Sequence, residues 1–294
     1  MKVAIYGQYY QNSTEPIIRD IFVFFNKNNV EMIIEAEFLK MLYEKKIVAK
    51  EYQTFDSHTE LDTTFDMLIS IGGDGTILRA ATLVRNSGVP ILGVNAGRLG
   101  FLASVQKDKI DDFLQLVIEK KYTLSPRTLL SLDCLPTIND IHDINFAMNE
   151  ITVSRKDTTS MITIETYLND EFLNSYWADG LIIATPTGST GYSMSCGGPI
   201  LTPEVNSIVI TPIAPHNLNA RPLVIPDDTE IRLKVSGREE YYLVSLDSRI
   251  ASVRNDSILT IKKTNFKINM VEITNETFLK TLRNKLLWGE DKRN

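Results

Sequence analysis

Two hydrophobic rhythms divide this chain. In the first 125 residues, short apolar runs alternate with longer stretches of helical spacing. KVAIYG (Lys2–Gly7), DMLISI (66–71) and VPILGV (89–94) are bounded by turn residues and read as buried strands. EPIIRDIFVFFNKNN, TILRAATLVRNSG and KDKIDDFLQLVIEKKY repeat apolar residues at helix spacing, and MIIEAEFLKMLYEKK starts as a strand and continues as a helix. Strands alternating with helices predict an α/β domain with a parallel sheet, residues 1–125. Beyond residue 125 the rhythm becomes strand-like. NEITVSR, MITIETYL, LIIAT, SIVITPI, EIRLKVSG, EYYLVSL, SILTIKK and INMVEI are short and rich in β-branched and aromatic residues, and Gly, Asn, Asp or Pro separates many of them. They predict a β-rich C-terminal domain over residues 126–275. The final stretch, ETFLKTLRNKLLWGE, returns to helical spacing, with Phe278, Leu279, Leu282, Leu286 and Leu287 able to share one face. A C-terminal helix, residues 276–294, is therefore expected to pack back on the N-terminal domain.

Composition narrows the function classes. A chain of 294 residues, 43% hydrophobic and 23% charged, can bury two cores and reads as soluble and globular. Its net charge of −6 argues against general attraction to nucleic acid or acidic lipid, so no nucleic-acid or membrane partner is expected. No run is apolar and long enough to cross a membrane, and the N-terminus lacks the shape of a signal peptide. Cys134 and Cys196 form no metal motif or disulfide framework and read as ordinary thiols of a cytoplasmic protein.

The chemistry concentrates in two glycine-rich stretches. SIGGDGTILRAA (70–81) links a buried strand to a helix through Gly72, Gly73 and Gly75. Such a turn, with the N-terminus of the following helix, suits phosphate oxygens. It is neither a GxxxxGK[ST] nor a GxGxxG motif, since Leu78 stands where the last glycine would be. Asp74 sits at the centre of this loop. A bare carboxylate repels phosphate, so it belongs there as acceptor of an attacking hydroxyl's proton, or with a divalent cation between the two groups. Both point to phosphoryl transfer; a turn or cap aspartate is the plain structural alternative. Arg79, one helical turn on, can bring positive charge to the same phosphates. The second stretch, TPTGSTGYSMSCGGP (185–199), runs from a strand into a loop dense in hydroxyls and backbone N–H groups, suited to ribose and phosphate oxygens. Asp179 before that strand can accept from an adenine amino group or a ribose. Asn149 and Glu150 offer a donor and an acceptor to a ribose diol. In NAGRLGF (95–101), Asn95 and the glycines can border the same cleft, and Phe101 meets either a base or the core. His216 reads as a structural histidine, and the absence of a GxSxG elbow gives no support to a serine hydrolase.

Taken in order, GGDGT (72–76), NAGRLGF, Asn149-Glu150, the 185–199 stretch and HNLNARPLVIP (216–226) resemble the NAD kinase family. The resemblance covers about residues 66–287. GGDGT alone also suits lipid kinases of the diacylglycerol type and 6-phosphofructokinases. The resemblance implies an active site between the two domains and transfer of the ATP γ-phosphoryl group to the 2′-hydroxyl of the adenosine ribose of NAD, giving NADP. It makes Asp74 the catalytic proton acceptor and places Gly75 and Arg79 in the nucleotide site. It gives NAD binding to Asn149 and Glu150, and completes the pocket with Asp179, Thr190, Gly191, Tyr192, Ser193, Met194, Ser195 and Ala214, some from a neighbouring subunit. It further implies a homodimer or homotetramer and a divalent metal, Mg²⁺ carried by ATP, with no metal ligand assigned in the protein. The chain departs from the family's common pattern at Gly191 (commonly Ala), at Trp177 (Arg in many members) and at Arg249 (Gln in some). Another GGDGT kinase, acting on a lipid or sugar, and a sensor that binds NAD without turnover are the rival readings.

Overall fold

The computed structural model describes residues 1–8, 14–96, 100–103, 110–137, 139–157, 160–273 and 277–288. The chain forms two compact units, residues 1–126 with 268–294, and residues 127–267.

The first unit begins with β1 (Lys2–Gly7), α1 (Thr14–Lys27), β2 (Glu31–Glu35), α2 (Ala36–Glu44), β3 (Gln53–Phe55), β4 (Met67–Gly72), α3 (Asp74–Val84), β5 (Ile91–Asn95), α4 (Ile110–Ile118) and β6 (Tyr122–Arg127). β4 and β5 are buried along their whole length, as continuous apolar runs covered on both faces must be. The pairs β1–β2, β1–β4, β2–β3 and β4–β5 are parallel. Ile5, Ile34, Ile69 and Leu92 of the sheet pack with Ile17, Ile21 and Phe25 of α1, Leu42 of α2 and Leu114 of α4.

The second unit holds β7 (Leu130–Leu135), α5 (Asn139–His142), β8 (Phe146–Ala147), β9 (Glu150–Arg155), β10 (Ile162–Leu168), β11 (Glu171–Ala178), β12 (Gly180–Ala184), α6 (Tyr192–Ser195), β13 (Ser207–Ile213), β14 (Leu223–Pro226), β15 (Ile231–Ser236), β16 (Tyr241–Leu246), β17 (Arg249–Arg254) and β18 (Ile258–Lys263). They form two six-stranded antiparallel sheets, ordered β11-β10-β15-β18-β7-β8 and β14-β13-β12-β9-β16-β17. Ile164, Leu233 and Leu259 of the first sheet share one core with Ile151, Leu181, Ile183 and Val244 of the second, which makes the unit a sandwich. The opposite face of β12 and β13, with Ile182, Ala184 and Val209, is covered by Cys196 and Leu201, so the loop after β12 folds back over its own sheet.

The chain then returns to the first unit through β19 (Ile268–Ile273) and α7 (Phe278–Leu286). β19 inserts between β5 and β6, giving the order β3-β2-β1-β4-β5-β19-β6. The return therefore starts at Ile268, not at residue 276. INMVEI has a strand's pattern in either sheet, and only the long-range pairing of Met270 with Ile91 assigns it to the first. The helix itself also differs from its expected face. Leu282 is buried and Phe278 and Leu286 are half-buried, but Leu279 and Leu287 are 61% and 60% exposed. Cys134 and Cys196 are free thiols. Among the described residues, no helix is long and apolar enough to cross a membrane.

Candidate active site

In the first unit, the candidate residues lie where the parallel sheet changes direction. From β1 the order runs to β2 and β3 on one side and to β4 and β5 on the other, and open α/β sheets bind ligands at the C-terminal strand ends of such a switch point. Gly7 at the end of β1 pairs with Ile71, and Gly72 at the end of β4 pairs with Asn95. Gly72 is required by space, because a Cβ there would lie 2.2 Å from Thr76 Oγ1. Gly73 and Gly75 are different: a Cβ at either meets nothing within 4 Å. Their smallness leaves room beside the N-terminus of α3, which no side chain caps and whose partial positive charge suits an anion. Arg79 is exposed on the same helix and pairs with no carboxylate among the described residues.

Asp74 opens α3 and is held from across the unit. Its Oδ2 accepts from the N–H of Phe101 at 2.8 Å, and its Oδ1 accepts from Leu102 at 3.1 Å and Ala103 at 3.3 Å. A carboxylate has about four acceptor positions, so Oδ2 keeps one. Gly100 lets the loop come this close, since a Cβ there would lie 1.9 Å from Asp74 Oδ1. NAGRLGF thus does border the loop, but through backbone N–H groups that its composition did not single out. The half-buried Phe101 ring lies under Lys285 Nζ at 5.8 Å. Gly97, Arg98 and Leu99 fall outside the described residues.

In the second unit, Asn149, Glu150 and the loop after β12 come together. Thr185 ties them together. Its Oγ1 donates to Met148 O at 2.6 Å, its N–H to Asn149 O at 2.9 Å, and the Gly188 N–H donates to its Oγ1 at 3.1 Å. A Cβ on Gly188 would lie 2.0 Å from Asn149 O, so only glycine fits. Among the described residues, buried Asn149 Oδ1 and Glu150 Oε2 have no hydrogen-bond partner, which is costly unless something supplies one. Burial, and then the nearby charge of Asp247, push the Glu150 carboxyl up to about 8, opposed only by a hydrogen bond from the Tyr192 backbone.

The hydroxyl-rich loop is less open to a ligand than its composition suggests. Thr185, Ser189 and Ser193 are fully buried. Ser189 Oγ donates to Pro186 O at 2.6 Å, and Ser193 Oγ bonds Thr211 Oγ1 at 2.8 Å, so these hydroxyls build the loop rather than line it. Thr190, Gly191 and Met194 are half-buried, while Tyr192 and Ser195 are exposed. Gly191 gives space to the pair: a Cβ there would lie 3.0 Å from Glu150 Oε2 and 3.5 Å from Asn149 Nδ2.

Asp179 and Ala214 lie at the other end of the same strands. Ala184 pairs with Glu150, whereas Gly180 pairs with Ser154, and the Arg155 N–H donates to Asp179 O at 2.9 Å. Five residues of strand put Asp179 about 16 Å from Glu150 along β9. Asp179 carries a 3.1 Å ion pair with Arg155, and its N–H donates to Ile213 O beside Ala214 (φ 42°). Trp177, 46% exposed, packs on His216 with ring centroids 4.3 Å apart. Tyr192 reaches toward this end: burial raises its phenol, and Cys196 and Asp179 raise it further.

Two partners were missed in the sequence, Arg155 and Asp247. In the sequence only Arg249, two residues beyond Asp247, stood out, as a departure from the family pattern. The Arg249 guanidinium donates to Ile144 O and Phe146 O, so it clamps the segment leading into Asn149.

Each unit resembles a domain of known proteins. Residues 3–122 match the ATP-NAD kinase N-terminal domain and residues 148–273 the ATP-NAD kinase C-terminal domain. The NAD kinases of Flavobacterium psychrophilum and Flavobacterium johnsoniae are each 76% identical over 294 residues, covering all of both chains. That of Christiangramia forsetii is 54% identical over the same full length. Among solved structures, an NAD kinase from Archaeoglobus fulgidus in complex with ATP is 26% identical, with a TM-score of 0.74 over 98% of this chain and 99% of the other. A yeast NADH kinase complexed with NADH is 23% identical, with a TM-score of 0.86 over 99% of this chain and 88% of the other, a likeness of fold.

Proposed function

Since the chain belongs to the NAD kinase family, we propose that it transfers the γ-phosphoryl group of ATP to the 2′-hydroxyl of the adenosine ribose of NAD, giving NADP and ADP, with Asp74 taking the hydroxyl's proton. The structural observation that carries this reading is the Asp74 carboxylate, fixed by three backbone N–H groups with acceptor capacity left on Oδ2. Phosphoryl transfer asks for positioning and charge neutralisation more than for covalent chemistry. A ribose hydroxyl is a poor nucleophile at neutral pH, and a fixed carboxylate both orients it and accepts its proton as the new P–O bond forms. The uncapped α3 N-terminus, Gly75 and Arg79 receive phosphate oxygens.

In the second unit, Asn149 and Glu150 bind the ribose of NAD. Their unpartnered buried oxygens support this role. Thr190, Gly191, Tyr192, Met194 and Ser195 line the pocket, and Ser193 contributes through its backbone, since its hydroxyl is spent on Thr211. We assign Asp179 and Ala214 to the pocket of a neighbouring copy in a homodimer or homotetramer. The offset of about 16 Å along β9 favours this arrangement. The divalent metal enters as part of the Mg·ATP substrate. The free thiols fit a reducing cytoplasm.

The test is a coupled NADP-production assay with ATP and Mg²⁺, offering NAD, NADH or diacylglycerol as acceptor, and other triphosphates or polyphosphate as donor. NADP formed from NAD and ATP is the expected result. Saturable NAD binding with no NADP formed over hours would identify a sensor, and phosphorylated lipid would identify a different GGDGT kinase.

A further inference from the structure

The Asn149–Glu150 pair is held by a residue outside both glycine-rich stretches. β16 and β17 are joined by a tight turn at Asp247 and Ser248, in which Asp247 adopts φ 52°, a conformation that Asp tolerates better than most residues. This turn lies beside the segment entering β9. Asp247 Oδ2 accepts from the Met148 N–H at 3.0 Å, and its Oδ1 accepts from Asn149 at 2.8 Å and Glu150 at 3.3 Å. The Asp247 N–H donates back to Glu150 O at 3.0 Å. Three successive N–H groups around one point make an anion-binding concavity, and here the protein's own carboxylate, 5% exposed, fills it. Arg249 completes the arrangement. Its guanidinium stands 4.0 Å from Asp247 Oδ2, lies over the Phe146 ring and donates to the carbonyls of Ile144 and Phe146.

We propose that Asp247 is a positioning residue for NAD: it fixes the backbone from which Asn149 and Glu150 reach the ribose. This rests on the reading that the pair binds NAD.

Two carboxyl groups share this corner, and their surroundings are unequal. Burial raises both. Asp247 has three backbone N–H groups and Arg249 to stabilise its charge. Among the described residues, Glu150 has only the Tyr192 N–H from the loop after β12, and it faces the charge of Asp247 from the β16–β17 turn. These unequal surroundings favour the proton on Glu150 and the charge on Asp247, as when environments push neighbouring carboxyls apart. A protonated Glu150 donates to one ribose oxygen and accepts at another, and it spares the dinucleotide phosphates a nearby negative charge.

The test compares the pH dependence of KM and kcat in the wild type, Glu150→Gln, Asp247→Asn and the double variant. In the wild type, KM for NAD should rise as pH passes about 8, where Glu150 loses its proton. Glu150→Gln should abolish that rise. Asp247→Asn should raise KM about tenfold, as expected for weakening a charged hydrogen-bond network, with kcat little changed and the rise in KM moved to lower pH. The double variant should show no such rise. An Asp247→Asn profile superimposable on the wild type overturns the inference. If Glu150→Gln leaves both KM and its pH profile untouched, the assignment of Glu150 to NAD fails instead. An infrared titration of the carboxyl band that disappears in Glu150→Gln gives a second readout independent of activity, usable even if Asp247→Asn does not fold. That band should persist at pH 7, and its absence there also overturns the inference.

Discussion

At the residue scale the site rests on side chains whose roles come from their contacts. Asp74 is held by the N–H groups of Phe101, Leu102 and Ala103. Asp74→Asn keeps the shape and removes the proton acceptor. Steady-state assays should show kcat falling by roughly 10²–10⁴-fold, while calorimetric titration should find NAD binding largely retained. Gly100→Ala should mimic this loss while leaving the carboxyl chemically unchanged, because its Cβ would displace Asp74 Oδ1. An alanine variant with wild-type kcat would show that Asp74 need not stay seated. Glu150 yields a stability prediction. Its folded value of about 8 exceeds the ordinary value of 4.5. Between these values the native state keeps a proton that the unfolded chain has released, so this stabilisation is complete below about 4.5 and is lost as pH rises through about 8. Urea denaturation of the unliganded protein at several pH values should show a shallower loss of stability across that window in Glu150→Gln than in the wild type. The sequence pointed to Asp74, Asn149 and Glu150, since each stands in a recognisable stretch. It could not point to Asp247, whose partners lie about a hundred positions away, nor show that Ser193 would spend its hydroxyl on Thr211.

At the element scale, strands with strong patterning were legible. β4 and β12 are fully buried apolar runs, and α1, α3 and α4 have clear helical spacing. β11, EFLNSYWA, escaped notice because polar Asn174 and Ser175 interrupt it and most of its side chains are exposed or half-exposed. α7 shows the limit of periodicity. Five apolar residues can share a face, yet only Leu282 is buried while Leu279 is 61% exposed. Leu282→Ala should therefore cost about 2–4 kcal/mol in chemical denaturation. Leu279→Ala should stay within about 0.5 kcal/mol. Equal effects from the two would contradict this placement of the helix.

At the scale of the whole molecule, the chain leaves the first unit after residue 126, builds the sandwich and comes back at Ile268. The proposed assembly is motivated by one feature of the sandwich: Asn149 and Asp179 sit at opposite ends of the same strands. If neighbouring copies complete one another's pockets, chains carrying Asn149→Ala and chains carrying Asp179→Ala should each be nearly inactive alone. After mixing under conditions that exchange subunits, NADP production should recover. No recovery, with exchange verified by a tagged chain, would place both residues in the pocket of one copy.

The sequence by itself determined the alternation of strands and helices, the change to a β-rich second part, the glycine-rich turn carrying Asp74 and the order of motifs resembling NAD kinases. These are local properties, set by spacing, by steric freedom at glycine and by residue type. Tertiary structure alone decided that β19 joins β5, that backbone N–H groups seat Asp74, that the hydroxyls of Ser189 and Ser193 turn inward, and that Asp247 holds the Asn149–Glu150 pair. Each of these depends on groups far apart in the chain meeting within hydrogen-bond distance, and no pattern of neighbouring residues records that meeting.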